Sequence, residues 1–150
     1  MPTEEIFTKS VDINAPDHVV WEALTNPELM KQWMAEPEME LEIITDWKIR
    51  SPIVFKGFHH AKFENKGIVL KCEQNKILQY THSSSLSRLP DKPENYSVLE
   101  FVLIPSDIHT TLVLTIRNFP TTAIFKHLEF YWASTLEIFK KFAENLPVHR

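Results

Sequence analysis

Residues 5–14 alternate, with Phe7, Val11 and Ile13 on one side and Thr8, Ser10 and Asp12 on the other, the period-two signature of a half-buried strand. Asn14-Ala15-Pro16-Asp17 punctuates it, and Pro16 with Asp17 suits the first turn of a helix. Val20 and Leu24, flanked by Val19 and Ala23, form the apolar stripe of that helix. Asn26-Pro27-Glu28 starts a second short helix with an N-cap, a proline and an acid, and turns Leu29, Met30 and Trp33 inward. After Pro37 the period returns to two, predicting strands over 40–46, 49–56, 59–73, 76–85, 96–105 and 109–118. Asn65-Lys66-Gly67 reads as a turn or bulge, 86–95 as a proline-rich loop and Ser106-Asp107 as a hairpin turn. Residues 122–146 carry the clearest helix, with Phe125, Leu128, Trp132, Leu136, Phe139 and Ala143 on one stripe.

The order strand, two helices, six strands, long helix predicts an α+β domain. A curved antiparallel sheet of about seven strands needs its concave face covered. Only the last helix, roughly 35 Å long, spans it. No linker or repeat interrupts the chain, so residues 1–150 read as one domain in which the sheet grips the last helix.

The chain of 150 residues is long enough to bury a core without disulfide or metal. Its net charge of -4, with Lys and Arg scattered, argues against a nucleic-acid partner. Only two glycines are present, Gly57 and Gly67, which excludes Gly-rich phosphate loops; no cofactor is expected. Cys72 is the single cysteine and predicts a reducing compartment. The N-terminus lacks the layout of a secretory signal, and no apolar run is long enough to cross a bilayer. A cytoplasmic protein without a membrane partner is expected.

Strand 76–85 brings the candidate chemistry. If Leu78 points inward, so do Tyr80, His82 and Ser84, placing polar groups on a concave apolar face. Tyrosine and histidine there could donate or exchange protons, or simply orient a ligand. The second reading is preferred because no carboxylate shares that face. Trp33, Trp47, Phe55, Phe101 and Trp132 are the remaining candidate ligand-binding residues, converging from sheet and helix either to fill the centre or to ring a void. His59 and His60, adjacent on a strand, are expected on opposite faces, and His18, His109, His127 and His149 at the solvated surface. Neither a metal site nor a nucleophile elbow is apparent. Cys72 shares parity with Ile68 and Leu70 and reads as a buried, inert thiol.

The strings VDINAPDHVVWEALTNPELMKQWM, TDWKIRSPIVFKG, NKGIVLKCEQNKILQYTHSSSLSRLPDKPENYSV and HLEFYWASTLEIFKKFAE resemble the SRPBCC (START and birch-pollen-allergen-like) superfamily, and within it homologues of the activator of the heat-shock protein 90 ATPase. The resemblance covers nearly the whole chain. It implies a seven-stranded sheet around the final helix, with a hydrophobic cavity between them. Many relatives carry glycine after the DWK element, where this chain has Ile49-Arg50-Ser51; the bulky Arg50 is expected to alter the cavity mouth. Three functions follow in order: binding of a small apolar molecule, a chaperone-linked interaction module with a role in stress response, and a cyclase- or aromatase-type enzyme, with catalysis the least favoured. A homodimer formed through strand edges near the 86–95 loop is a further expectation.

Overall fold

The first strand and the second do not meet. In the computed structural model, which describes residues 4–147 and of Leu86 only the main chain, β1 (Phe7–Ile13) and β2 (Glu42–Thr45) occupy opposite edges of one sheet. Between them lie β3 (Pro52–His59), β4 (Ala61–Glu73), β5 (Ile77–Ser84), β6 (Ser97–Ser106) and β7 (His109–Arg117), in the order β1-β7-β6-β5-β4-β3-β2. Every neighbouring pair is antiparallel. The chain crosses from edge to edge through α1 (Asp17–Thr25) and α2 (Pro27–Met34), then returns strand by strand and ends in α3 (Thr122–Glu144). This is the expected α+β helix-grip architecture.

The inner face of the sheet supplies Ile53, Phe55, Val69, Leu78, Tyr80, Leu99, Phe101, Leu112, Leu114 and Ile116 to a single core. From α3, Leu128, Trp132, Leu136, Phe139 and Ala143 enter it, as the spacing predicts, together with Thr135. Phe125 is half-buried instead, packed edge to face on Phe119 at 4.9 Å. Helix starts follow local chemistry. Asn26 accepts from the Glu28 N–H at 3.0 Å to cap α2, and Thr121 accepts from the Ile124 N–H at 3.1 Å to cap α3.

The C-terminal half of α3 is fastened to β1. Lys9 donates to the Ala133 carbonyl at 2.7 Å and pairs with Glu137 at 3.3 Å; Lys140 donates to the Asp12 carbonyl at 2.7 Å. The Asn14 N–H donates to Glu144 at 2.8 Å. These ties are half-exposed and individually weak. Their role is positional, since they hold one end of the helix against the sheet.

Several boundaries differ from the sequence reading for identifiable reasons. β3 begins at Pro52 because Trp47 and Arg50 adopt left-handed backbone, with φ of 59° and 70°, and close a turn. β4 runs unbroken through Asn65-Lys66-Gly67, and the bulge falls later, between Val69 and Lys71. That extra residue breaks the parity assumed for Cys72. It faces the core opposite Leu78, half-buried, whereas Ile68 is exposed on the outer face. Burial raises the Cys72 thiol pKa. His60 sits at the tip of the β3–β4 hairpin with φ 66°, so strand alternation does not govern it. The His59 and His60 rings touch at 4.5 Å between centroids rather than pointing apart.

Neither glycine serves a left-handed turn. Gly67 is required by close approach, because a Cβ there would stand 1.7 Å from the Thr81 carbonyl oxygen. The left-handed positions fall on His60, Asn75, Asp107 and Asn118, which tolerate them, but also on Glu40, Trp47, Arg50 and Arg88, which do not do so cheaply. Gly67→Ala is therefore expected to cost about 3 kcal/mol or to prevent folding. Arg50→Gly is expected to gain about 0.5 kcal/mol, glycine's entropy offsetting part of the relieved strain. Urea titration measures both, and a destabilised Arg50→Gly would refute backbone strain at that turn.

Candidate functional site

The register of the sheet sets out a lattice of inward side chains. Phe55, Asn65 and Ser84 stand side by side across β3, β4 and β5, and Val69, Tyr80 and Leu99 do so across β4, β5 and β6. His82 lies between these rows on β5. Over them pass Leu128, Tyr131 and Trp132 on the N-terminal half of α3, and Met34, Ala35, Met39 and Leu41 at and after the end of α2. Tyr131 ties the last two walls together by donating its hydroxyl to the Met34 carbonyl at 2.7 Å. Between floor and walls is a pocket of about 350 Å³. His59, Phe63 and His127 stand at its rim, both histidines exposed.

The aromatic candidates divide into two groups. Phe55, Tyr80, His82 and Trp132 line the pocket. Trp33, Trp47 and Phe101 lie outside it. Trp33 packs on Trp132 at 6.2 Å and edge to face on Phe139 at 4.7 Å, while Phe101 meets Trp132 at 5.5 Å and Tyr80 at 6.0 Å. The indole of Trp33 donates to the Ala23 carbonyl at 2.9 Å, and that of Trp47 to the Thr25 carbonyl at 2.7 Å. Both carbonyls belong to the last turn of α1, which has no helical partner for them. These two tryptophans therefore finish a helix end. Arg50, expected to shape the mouth, is exposed and does not line the pocket.

The sequence reading missed Asn65, Tyr131 and His127. Asn65 was hidden by its place in an Asn-Lys-Gly string, although its alternation with Glu64 and Lys66 is the signal for an inward side chain. Tyr131 precedes Trp132 on the helix and reaches the pocket from beside the stripe rather than along it.

No Lys, Arg, Asp or Glu lines the pocket among the described residues. Burial pushes the His82 pKa down to about 4, with the His127 imidazole adding repulsion, so His82 is neutral at physiological pH. Burial also raises the hydroxyl of Tyr80, and that of Tyr131 up to about 12, keeping both protonated. Asn65 Oδ1 is buried without a hydrogen-bond partner. The site thus offers aromatic walls, protonated phenols and a neutral imidazole. Among the described residues no three His, Cys, Asp or Glu side chains converge to hold a metal ion, and no helix is long and apolar enough to cross a membrane.

A long helix gripped by a seven-stranded antiparallel sheet, with a pocket between them, defines the helix-grip class. Residues 14–144 match the family described as activator of Hsp90 ATPase homolog 1-like protein, and the chain belongs to that family. It is similar to the solution structure of ChR145 from Cytophaga hutchinsonii, with 40% identity over 97% of each chain and a TM-score of 0.78. The Aha1 dimer from Colwellia psychrerythraea shares 22% identity over 94% of this chain and 97% of its own, with a TM-score of 0.73. CalU16 from Micromonospora echinospora shares 18% over 96% of this chain and 83% of its own, with a TM-score of 0.71. At those lower identities the likeness is one of fold. No functionally curated protein matches the chain.

The neutral state of His82 makes stability depend on pH. The unfolded chain takes up a proton near pH 6.5, and the folded chain only near pH 4. Between those values the unfolded state binds more protons, so stability falls as pH is lowered through that window. The loss attributable to His82 is expected to be about 2 kcal/mol, because water reaching the half-buried ring through the pocket relieves part of the burial effect. The carboxyl of Asp91 is held low by Lys66 and Tyr96, and that of Glu144 by the Asn14 N–H and Lys140. Both act in the same direction at lower pH and cancel when His82→Gln is compared with the parent. Denaturant midpoints at pH 7 and 4.5 should converge in the variant, and an unchanged pH dependence would refute burial of a neutral imidazole.

Proposed function

We propose that this protein binds a small, mostly apolar molecule in the pocket between β3–β6 and the N-terminal half of α3. The observation that carries the reading is the lining itself: five aromatic rings (Phe55, Phe63, Tyr80, Tyr131 and Trp132), a few polar groups and, among the described residues, no Lys, Arg, Asp or Glu in about 350 Å³. Ligand sites have this composition, with apolar surface for affinity and sparse polar groups for orientation. Catalysis is the weaker reading. A histidine acidified by burial and unsupported by a carboxylate is a poor general base at neutral pH.

Trp132 is a direct reporter. Titration with aromatic and aliphatic probes, followed by tryptophan fluorescence and thermal shift, is expected to show saturable quenching with stabilisation. Trp132→Phe should remove the quenching, and Ala35→Trp, which fills the pocket, should remove the stabilisation. A full screen without saturable binding, together with an empty protein in native mass spectrometry, would reject the reading.

The second reading, a chaperone-linked module in the cytoplasm, is favoured by family membership. It predicts that the protein changes the ATPase rate of the Hsp90 of its own source, and no effect at saturating protein would reject it. Self-association belongs to this reading as well, since the Colwellia relative is described as a dimer.

A further inference from the structure

Two polar side chains on the pocket floor have no partner within the protein. Tyr80 and His82 stand two residues apart on β5, so both point from one face of the strand into the pocket. Among the described residues, nothing hydrogen-bonds to the Tyr80 hydroxyl or to the His82 ring. Tyr131 differs, because its hydroxyl is occupied by the Met34 carbonyl. Both free groups are also within reach. The unpartnered side-chain atoms that are closed off from all open space are Asn65 Oδ1 and Asn75 Oδ1, and the Tyr80 and His82 atoms are not among them. Tyr80 is 2% exposed as a whole, and the open space it touches is the pocket it lines.

Protonation decides what these groups offer. Burial raises the Tyr80 hydroxyl and lowers the His82 imidazole, so at physiological pH the first is a phenol and the second an uncharged ring with one N–H. A phenol oxygen shares its lone pair with its ring and is a better donor than acceptor. A buried donor without an acceptor is a standing penalty, removed when a bound molecule supplies one. The lining holds no Lys or Arg among the described residues, so an ionised carboxylate would lose its hydration without an opposite charge. A neutral carbonyl oxygen has two lone pairs to offer and avoids that cost.

We infer that, as a refinement of the ligand-binding reading on which it rests, the pocket takes an uncharged carbonyl compound (a ketone, ester or amide) whose oxygen accepts from the Tyr80 hydroxyl while its apolar body lies against the aromatic lining. His82, two residues along the same strand face, is the second donor on the floor.

Three probes of nearly equal shape separate the terms: 2-acetonaphthone, its hydrocarbon counterpart 2-isopropenylnaphthalene and its carboxylate counterpart 2-naphthoate. Each is titrated at pH 7.5 against the whole protein by tryptophan fluorescence. The ketone is expected to bind at least about tenfold more tightly than the carboxylate. Tyr80→Phe, which deletes one oxygen and keeps the ring, should weaken the ketone about tenfold while the hydrocarbon binds as before or more tightly. Because the hydroxyl has no partner in the protein, the variant should unfold at the same urea concentration as the parent or a higher one. Naphthoate binding as tightly as the ketone would overturn the inference and leave the ligand-binding reading standing. So would equal effects of Tyr80→Phe on the two neutral probes, or a variant clearly less stable than the parent. Absence of binding by all three would reject the pocket as a ligand site, and this inference with it. If the variant fails to fold, the parent alone decides: the infrared carbonyl stretch of the bound ketone should move to lower frequency than in an apolar solvent, and an unmoved band would refute the hydrogen bond.

Discussion

The separation between α3 and the sheet is set by the packing of Trp132. On one side its ring is wedged against Trp33 and Phe101, and it is braced edge to face by Tyr131 at 5.1 Å. On the other it forms part of the pocket wall. One turn or two further along, Phe139 reaches Trp33, Ala143 allows close approach, and the lysine and glutamate ties bring the helix down onto β1. Toward the N-terminus the helix faces Phe55, Tyr80, Ser84 and Leu99 across the pocket. The helix is therefore closed at one end and held off at the other. The pocket lies under the N-terminal half of α3, and the ties to β1 lie along its C-terminal half.

Part of this arrangement was legible in the sequence. Strand and helix periods survive in any sequence that must bury one face, so seven strands, three helices and their order could be read before any coordinates. Rows across the sheet could not, because they depend on register, and register here passes through a bulge that one-dimensional alternation does not reveal. Tyr80, His82 and Ser84 were found because they share one uninterrupted strand with Leu78. Asn65 was not, because its neighbours resemble a turn. Trp33 and Trp47 misled for another reason. A tryptophan is chosen both for its area and for its N–H, and only the coordinates show that these two N–H groups serve the end of α1.

The electrostatics of the pocket narrow its chemistry more than its shape does. Activating a histidine requires an acceptor to fix its tautomer and stabilise its charged form. Here the titratable group that acts on it is another histidine, His127, which disfavours that charge. Family membership locates the chain among helix-grip domains related to a chaperone activator, but the same architecture hosts unrelated tasks. The residues that face inward are therefore the better guide to its chemistry.

The chain takes four of its left-handed turns on Glu40, Trp47, Arg50 and Arg88 while both glycines stand in strands. Natural proteins sit close to the minimum stability they need, and substitutions that reshape a binding site usually reduce it further. Four strained turns, all away from the pocket floor, are four places where a single replacement could restore what such a change removes. Stability lost to a substitution elsewhere can thus be regained in these loops one residue at a time, without touching the strands that carry the fold.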